Sequence, residues 1–302
     1  MKKSVSNRAA QNGVLVSRQY AKRSQIADIW HRMKRNKGAV AGFIVVVLIL
    51  LMALYSFLFI DYASVTAMNP AERMQQPSLN HLFGTDDAGR DMFLRVVYGS
   101  QYSVIIGIGS VGIALILGLF LGAIAGYYGG LADDLITRAS DILASIPATL
   151  LGLVIVTVLG QSLTNLVFAV SATAVPAFIR MSRSSVMTVR GQEYVEAAKA
   201  IGMKNAKIIF SQVVPNGLSP LIVTTTARMG SAIIEAAGLS FLGFGVPVPR
   251  PEWGALISAG RMYIRTAPYL TFFPGLMIMV VVLAFNLMGD GLRDALDPKL
   301  KR

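Results

Sequence analysis

Residues 193–202 read EYVEAAKAIG, and Pro215 ends the polar segment that they begin. This short, alanine-rich stretch lies between two long apolar segments. Glu193 suits the positive end of a helix dipole, and Gly202 is placed for a left-handed stop at the helix C terminus. The pattern predicts a short polar helix that the apolar segments on either side hold at a bilayer surface.

The rest of the chain has the composition of a membrane protein. Of its 302 residues, 54% are hydrophobic and 15% are charged, and the mean hydropathy of +0.58 lies outside the range of soluble domains. Runs without charge cover residues 38–60, 96–132, 142–179 and 266–289. Because about 20 apolar residues cross the hydrocarbon layer, the run 142–179 is predicted to hold two spans that turn at residues 160–162.

A further span is predicted from about residue 215 to 242, although Arg228 and Glu235 interrupt it. The fold class is therefore an all-α membrane protein with six transmembrane helices, because lipid offers no partners to irregular backbone. The predicted cytoplasmic segments carry 21 Lys and Arg residues, and the outer segments carry six. This asymmetry predicts cytoplasmic termini, and it assigns the net charge of +12 to contact with anionic lipids rather than nucleic acid.

The predicted organisation has five parts. They are a basic cytoplasmic tail with an interfacial amphipathic helix (1–38), a first transmembrane helix (39–60), an extracytoplasmic loop (61–99), a five-helix core with a cytoplasmic loop at 183–214 (100–290), and a cytoplasmic tail (291–302). The amphipathic helix is inferred from Ile26, Ile29, Trp30 and Met33, which recur at helical spacing opposite basic residues. The alternative for this helix is packing on a soluble partner.

What the sequence lacks argues against an enzyme. It has no cysteine, and it has no Gly-Lys pair, so it carries no phosphate-binding loop of its own. His31 and His81 fall on opposite sides of the predicted membrane and cannot share a metal. Asp86, Asp87 and Asp91, with two arginines nearby, are interpreted as a solvated salt-bridge cluster rather than a cation site. No catalytic residue, metal site or bound cofactor is assigned to the chain.

Three glycines in the second span, Gly118, Gly122 and Gly126, recur at four-residue intervals. Such spacing leaves a flat groove on one helix face, which lets a neighbouring helix approach closely. The pattern predicts a compact helical bundle.

Two charges lie within the fifth span. Arg228 falls near the middle of the predicted membrane, and Glu235 follows seven residues later on the same helix face. Intramembrane charges are costly unless they face water or a partner, so both residues are candidates for the lining of a translocation pathway. The alternatives are a structural ion pair, or a Glu235 side chain that reaches the outer surface.

The two predicted outer loops carry charged motifs. Residues 81–93 read HLFGTDDAGRDMF, and residues 241–254 read FLGFGVPVPRPEWG. Loops with this much pattern commonly contact a partner or ligand, and the alternative is a cap that seals the bundle. The candidates for extracytoplasmic partner contact are Asp86, Arg90, Asp91, Glu252 and Trp253.

The polar segment at 193–202 offers a surface that another protein can grip. Tyr194, Val195, Ala198 and Ile201 form a narrow apolar edge, and the alanines have no bulk that would stop a partner's groove from closing around the helix. A helix seated in a groove can pass force from a moving partner to the adjacent spans. The alternative is an ordinary amphipathic loop helix.

A resemblance to a known family extends this interpretation. Glu196-Ala197-Ala198, followed by Gly202 and Pro215, resembles in spacing the EAA loop of permease subunits of ATP-binding-cassette (ABC) importers. Gln212 and Val214 depart from the usual ending of that loop. Further motifs are FGTD at 83–86, GRD at 89–91, SFLG at 240–243, PEWG at 251–254 and NLMGDGLRDALDP at 286–298. From about residue 30 onward the chain is similar to the second, C-type, permease subunit of dipeptide, oligopeptide and nickel importers.

This resemblance implies a type I importer permease fold (MetI-like) in the bacterial inner membrane. It implies a homologous B-type permease, two cytoplasmic ATPases that bind ATP and magnesium, and an extracytoplasmic substrate-binding protein as partners. The residues that match the coupling motif are Glu196, Ala197, Ala198 and Gly202, and the neighbouring coupling candidates are Tyr194, Val195 and Ala200.

The function predicted on these grounds is a non-catalytic permease subunit of an ABC importer for di- or oligopeptides. The same machinery importing nickel chelates, glutathione or opine-like solutes is an alternative. An ion-coupled secondary transporter is an alternative from a different class, although that class usually shows several intramembrane acids or repeated halves. A purely structural membrane scaffold leaves the EAA-like loop unexplained.

Overall fold

The computed structural model of the protein describes the backbone of residues 25–296. Its α-helices are α1 Gln25–Met33, α2 Lys37–Phe59, α3 Tyr62–Thr66, α4 Met92–Tyr128, α5 Gly130–Ser145, α6 Ala148–Leu159, α7 Leu163–Arg190, α8 Glu193–Ala200, α9 Asn205–Ile208, α10 Val214–Asn216, α11 Leu218–Phe241, α12 Trp253–Gly260 and α13 Tyr269–Leu296. Short 3-10 helices lie at Pro70–Glu72 and Arg261–Tyr263, and a π-helical turn lies at Ile209–Val213. The predicted all-α class is confirmed.

Four helices in the described range are long and apolar enough to cross a membrane, namely α2, α4, α7 and α13. Two bent pairs raise the number to six if each pair counts as one span: α5 with α6, bent by 92°, and the segment Asn205–Asn216 with α11, bent by 62°. The turn predicted at residues 160–162 is confirmed, because α6 ends at Leu159 and α7 begins at Leu163.

The span predicted to start at residue 142 is broken. Helix α5 ends at Ser145, and α6 starts only after Pro147. Proline disfavours helical backbone at the residue before it, so the chain turns at Ile146. The 12 residues of α6 rise about 18 Å, which is short of the roughly 30 Å hydrocarbon layer. The predicted uniform helix is therefore corrected to a bent pair.

Helix α4 starts earlier than the sequence suggested. The Asp91 carboxylate accepts the backbone N–H of Leu94 at 2.8 Å and so caps the helix, which begins at Met92. Met92 and Val96 are buried, and they pack in one cluster with Trp253. Residues 92–99 of the predicted loop 61–99 are consequently helical.

The close approach predicted from the glycine spacing is confirmed where α4 meets α7. A Cβ atom on Gly122 would lie 2.6 Å from the carbonyl oxygen of Ile179, and one on Gly126 would lie 2.7 Å from that of Arg183. A Cβ atom on Gly118 would collide with Phe178. The main core forms around this contact, with Val111, Ala114, Val170 and Phe178 among its buried members.

Helix α1 packs on the ends of α2 and α13. Met33 is buried with Ala39 and Ala295, and the ring of Trp30 meets that of Phe43 edge-on at 5.2 Å. Asn36 caps α2 by accepting the N–H of Ala39 at 3.1 Å. Helix α13 continues to Leu296, so residues 291–296 of the predicted tail are helical. Residues 1–24, the side chain of Ile26 and residues 297–302 lie outside the described part of the structure.

Candidate functional site

The segment 193–202 forms the helix that its sequence predicts. Helix α8 begins at Glu193, and Gly202 adopts a left-handed conformation with φ of +77° just beyond its end. The N–H of Met203 donates to the carbonyl oxygen of Ala198 at 3.1 Å, which closes the last turn. The chain then turns into α9 and continues to the start of α11, so α8 is connected by a short path to a long apolar helix.

The inner face of α8 is fixed to the body of the protein. Val195 is fully buried and Ala198 is 7% exposed, and both belong to a cluster that includes Val186 of α7 and Ile208 of α9. Next to them the hydroxyl of Tyr127, at the end of α4, is 3.0 Å from the side-chain oxygen of Asn205. Helix α8 therefore contacts the ends of the two helices that form the main core.

The outer face of α8 is open. Its exposed residues are Glu193, Tyr194, Glu196, Ala197, Lys199 and Ala200. The prediction that Val195 and Ala198 contact another protein is corrected, because their burial leaves almost no surface to offer. Ile201 was predicted to lie on the same apolar edge, yet it is 79% exposed. Ile201 therefore stays a contact candidate, and the exposed Phe210 is an apolar contact candidate that the sequence did not single out.

Arg228 and Glu235 lie on the face of α11 that the rest of the chain leaves open. Arg228 is exposed and Glu235 is half-buried, whereas Gly230 and Ile233 on the opposite face are buried. Oε1 of Glu235 is shielded from solvent and has no hydrogen-bond partner within residues 25–296. The polar groups whose dipole or charge influences this carboxylate are the hydroxyl of Thr173 on α7 and the guanidinium of Arg228.

The acidic cluster of the first predicted outer loop forms the ion pairs that its sequence predicts. The side chain of Asp87 is 45% exposed, but Asp86 is buried, so the interpretation of the cluster as solvated is corrected for Asp86. Asp86 accepts Nε of Arg90 at 2.7 Å and the backbone N–H of Ala88 at 2.8 Å. Arg95, which is 3% exposed, places Nη1 3.5 Å from Asp86. A small cavity against this group is also lined by Tyr263, which ties the two outer loops together. Asp86 and Arg90 thus act inside the fold.

Asp91 is likewise occupied within the chain. Besides capping α4, its carboxylate lies 2.8 Å from Nδ1 of His81, whose other ring nitrogen is 3.6 Å from Glu72. Residues 25–296 contain no cluster of three or more acidic or histidine side chains placed to hold a metal ion.

Glu252 and Trp253 are internal, so the prediction that they contact a partner is corrected. Glu252 is 2% exposed, and its carboxylate accepts the N–H groups of Gly254 and Ala255 at 2.8 and 2.9 Å. Burial raises the pKa of this carboxyl, and the N–H of Gly254 partly opposes that effect. Trp253 is fully buried and donates its indole N–H to the carbonyl oxygen of Val96 at 2.9 Å.

The outermost parts of these loops are other residues. Leu79 is 97% exposed, Val248 is 75% exposed and Met262 is 80% exposed. Leu79 and Met262 belong to no motif that the sequence singled out. Val248 lies within the motif at 241–254 but is not among its predicted contact residues, since a lone apolar residue in a loop carries no pattern. These exposed side chains replace the buried motif residues as candidates for partner contact at the loops that are predicted to lie outside the membrane.

Comparison with known proteins identifies the family. Residues 118–302 match the family described as "Binding-protein-dependent transport system inner membrane component". This chain belongs to that family. Residues 24–77 match the "N-terminal TM domain of oligopeptide transport permease C". The chain is therefore a multi-pass inner-membrane component of a transport system, and the predicted bacterial inner-membrane location is confirmed.

Relatives cover nearly the whole permease. A "Dipeptide transport system permease protein DppC" from Alkalihalophilus pseudofirmus is 48% identical over 94% of this chain and 93% of its own length. A "Glutathione transport system permease protein GsiD" from Pectobacterium atrosepticum is 38% identical over 95% of both chains. The MetNI methionine ABC transporter in an inward-facing conformation shares the fold, with a TM-score of 0.56 and 18% identity over 68% of this chain and 98% of that one.

Proposed function

We propose that this chain is one of two permease subunits of an ATP-driven importer of di- or oligopeptides. The observation that carries the proposal is helix α8, whose inner face is fixed to α4 and α7 while its outer face is free for another protein. The dipeptide permease that is 48% identical over 94% of the chain supports peptides as the substrate class.

The proposed membrane arrangement counts each bent helix pair as one span, which gives six spans. Both termini and α8 are placed in the cytoplasm, and the loop ending at Asp91 and the loop containing α12 are placed outside. The excess of Lys and Arg residues in the predicted inner segments supports this orientation. In this arrangement residues 1–38 and 291–302 are the cytoplasmic ends.

Two partner ATPases, which bind ATP and magnesium, are proposed to contact the permeases. One binds α8 of this chain, and the other binds the equivalent helix of the homologous permease. Tyr194, Glu196, Ala197 and Ala200 form the proposed contact, and Gly202 ends the helix so that its last turn is not extended. Val195 and Ala198 do not contact the ATPase. They attach α8 to the protein, and their packing makes α8 move together with the ends of α4 and α7.

The transport pathway is proposed to lie between this chain and the second permease. Arg228 and Glu235 line it, since charges on an open face of a spanning helix are stable only beside water or a partner. A binding protein is proposed to deliver substrate to the outer loops, where Leu79, Val248 and Met262 are exposed. Approach of the two ATPases would open the bundle outward, and their separation would open it inward.

The test is Ala197→Trp in the complete complex reconstituted in liposomes with its binding protein. The bulky side chain on the open face of α8 should prevent the partner's groove from closing, so peptide uptake falls at least tenfold while basal ATP hydrolysis remains. Ala41→Trp is the matched control, because Ala41 is exposed on the first span, where tryptophan suits the membrane interface. Unchanged uptake by A197W, or uptake driven by an ion gradient without ATP, would contradict the proposal.

A further inference from the structure

The open face of α11 is a polar stripe rather than an isolated pair of charges. Thr224, Arg228, Ser231 and Glu235 recur at intervals of four, three and four residues, which places them on one helix face. Arg228 and Ser231 are exposed, and Thr224 and Glu235 are half-buried. On the opposite face, by contrast, Thr226, Gly230 and Ile233 are buried against the protein.

Helix α7 carries a matching stripe beside it. Thr173, Arg180 and Ser184 lie at positions that share one face, with Arg180 and Ser184 exposed. The two helices pack together, and Thr173 is one of the polar groups that act on Glu235. The two stripes therefore border one polar groove.

The charges in this groove are ordered along its length. In the proposed arrangement α7 and α11 cross the membrane in opposite directions. Arg180 follows Thr173 by seven residues, and Arg228 precedes Glu235 by seven residues. With Thr173 beside Glu235, the two arginines therefore lie at a similar depth in the membrane. One end of the groove then carries a carboxylate, and the guanidinium groups lie about two helical turns away. Arg180 forms an ion pair with Asp141, with Nη1 of the arginine 3.6 Å from a carboxylate oxygen.

Neither charge on α11 is neutralised by a close partner. The arginines that form ion pairs within residues 25–296 are Arg90, Arg95, Arg180 and Arg183, and Arg228 is not among them. Oε1 of Glu235 is shielded yet has no hydrogen-bond partner in the same range. Because Arg228 is exposed and Glu235 is only half-buried, a ligand that brings the opposite charge to each of them gains affinity.

We propose that this groove binds the two ends of a zwitterionic solute, with its ammonium group at Glu235 and its carboxylate at Arg228. This inference rests on the proposed function, because it needs a solute path beside α11. Seven helical residues separate the two Cα atoms by about 10.5 Å along the helix axis. An extended di- or tripeptide spans about 7–10 Å, so its charged ends match this spacing.

The experiment compares three peptides in the reconstituted complex: a free dipeptide, its C-terminal amide and its N-acetyl derivative. Each is supplied at a concentration that saturates the binding protein, so that the binding protein's own preference does not set the rate. We expect Arg228→Gln to lower uptake of the free and N-acetyl peptides by about tenfold, and to leave the amide at its wild-type rate. Glu235→Gln should lower uptake of the free and amidated peptides and spare the N-acetyl peptide.

Each result is a ratio between peptides within one variant, so differences in assembly cancel. Arg228→Lys keeps the charge and should keep the wild-type ratios. Arg265→Gln and Glu72→Gln remove the same charges from outer positions away from the groove, and they should change no ratio.

Two outcomes separate the possible failures. If wild-type complex imports the peptides but the two groove variants slow all three peptides equally, the groove is a seam with the second permease or a structural element, and this inference is overturned alone. If the wild-type complex hydrolyses ATP but imports none of the peptides, the proposed function is overturned, and this inference falls with it.

Discussion

The surface around α8 and the outer cap, which is formed by the two predicted outer loops, contain similar residues. The charged side chains of α8 face away from the protein, whereas Asp86 and Glu252 of the outer cap face into it. Both carry clusters of charged residues together with alanine or glycine and aromatic rings. In α8 the acidic side chains and two of the alanines face outward, and the apolar residues anchor the helix. In the outer cap Asp86, Glu252 and Trp253 all point inward and bond to the chain itself.

This difference teaches that a charged motif in a loop does not by itself indicate a contact surface. Helix α8 packs on the protein through one face only, and because helical side chains project all around the axis, its remaining side chains are exposed. An irregular loop has many backbone N–H groups without regular partners, and acidic side chains often supply the acceptors. The motifs of the outer loops therefore stabilise the fold of those loops, and the motif of α8 leaves a surface that a partner can contact.

The largest effect expected from this comparison is that of Trp253→Ala. Loss of a fully buried indole and its hydrogen bond to Val96 should lower the free energy of unfolding by about 3–5 kcal/mol. Thermal denaturation of the purified complex measures this loss. Met262→Ala, which truncates an exposed side chain of the same cap, should leave the midpoint unchanged. A W253A complex as stable as the wild type would show that the buried residues of the cap do not stabilise the fold.

A smaller effect is expected at a pair of glycines, one in each region. A Cβ atom on Gly99 would collide with the carbonyl oxygen of Pro251 under the outer cap, whereas one on Gly191, just before α8, would meet nothing within 4 Å. Gly99→Ala should therefore destabilise the protein by about 1–3 kcal/mol, and Gly191→Ala should be neutral or slightly stabilising. The same denaturation assay compares the midpoints of the two variants. Equal midpoints would contradict the claim that the chain is packed more tightly under the cap than just before α8.

Much of the helical framework could be predicted because it follows from local patterns. The glycine groove on α4 depends on a four-residue repeat, the turn after α6 on Gly160 and Ser162, and the end of α8 on Gly202. Each of these features is decided within a few residues. The all-α class followed from the charge-free runs for the same reason.

The remaining features depend on contacts between distant parts of the chain. The start of α4 differs from the predicted span start at residue 96, because a charge such as Arg95 ends an apolar run in the sequence, whereas in the structure Arg95 is buried against Asp86 within the helix. The break before α6 depends on Pro147, which a count of apolar residues overlooks. The buried position of Trp253 includes a hydrogen bond to Val96, 157 residues away in sequence, and no local pattern reveals such a pairing.

The central claim is that the open face of α8 meets an ATPase in the cytoplasm while its inner face stays within this chain. The chain has no cysteine, so single cysteines at Ala197 and Val195 can be compared directly in inside-out membrane vesicles that contain the whole complex. We expect A197C to be modified by a membrane-impermeant thiol reagent and to cross-link to an ATPase subunit, and we expect buried V195C to do neither. Modification of A197C from the outside of intact cells, or no cross-link from A197C to any ATPase, would contradict the account.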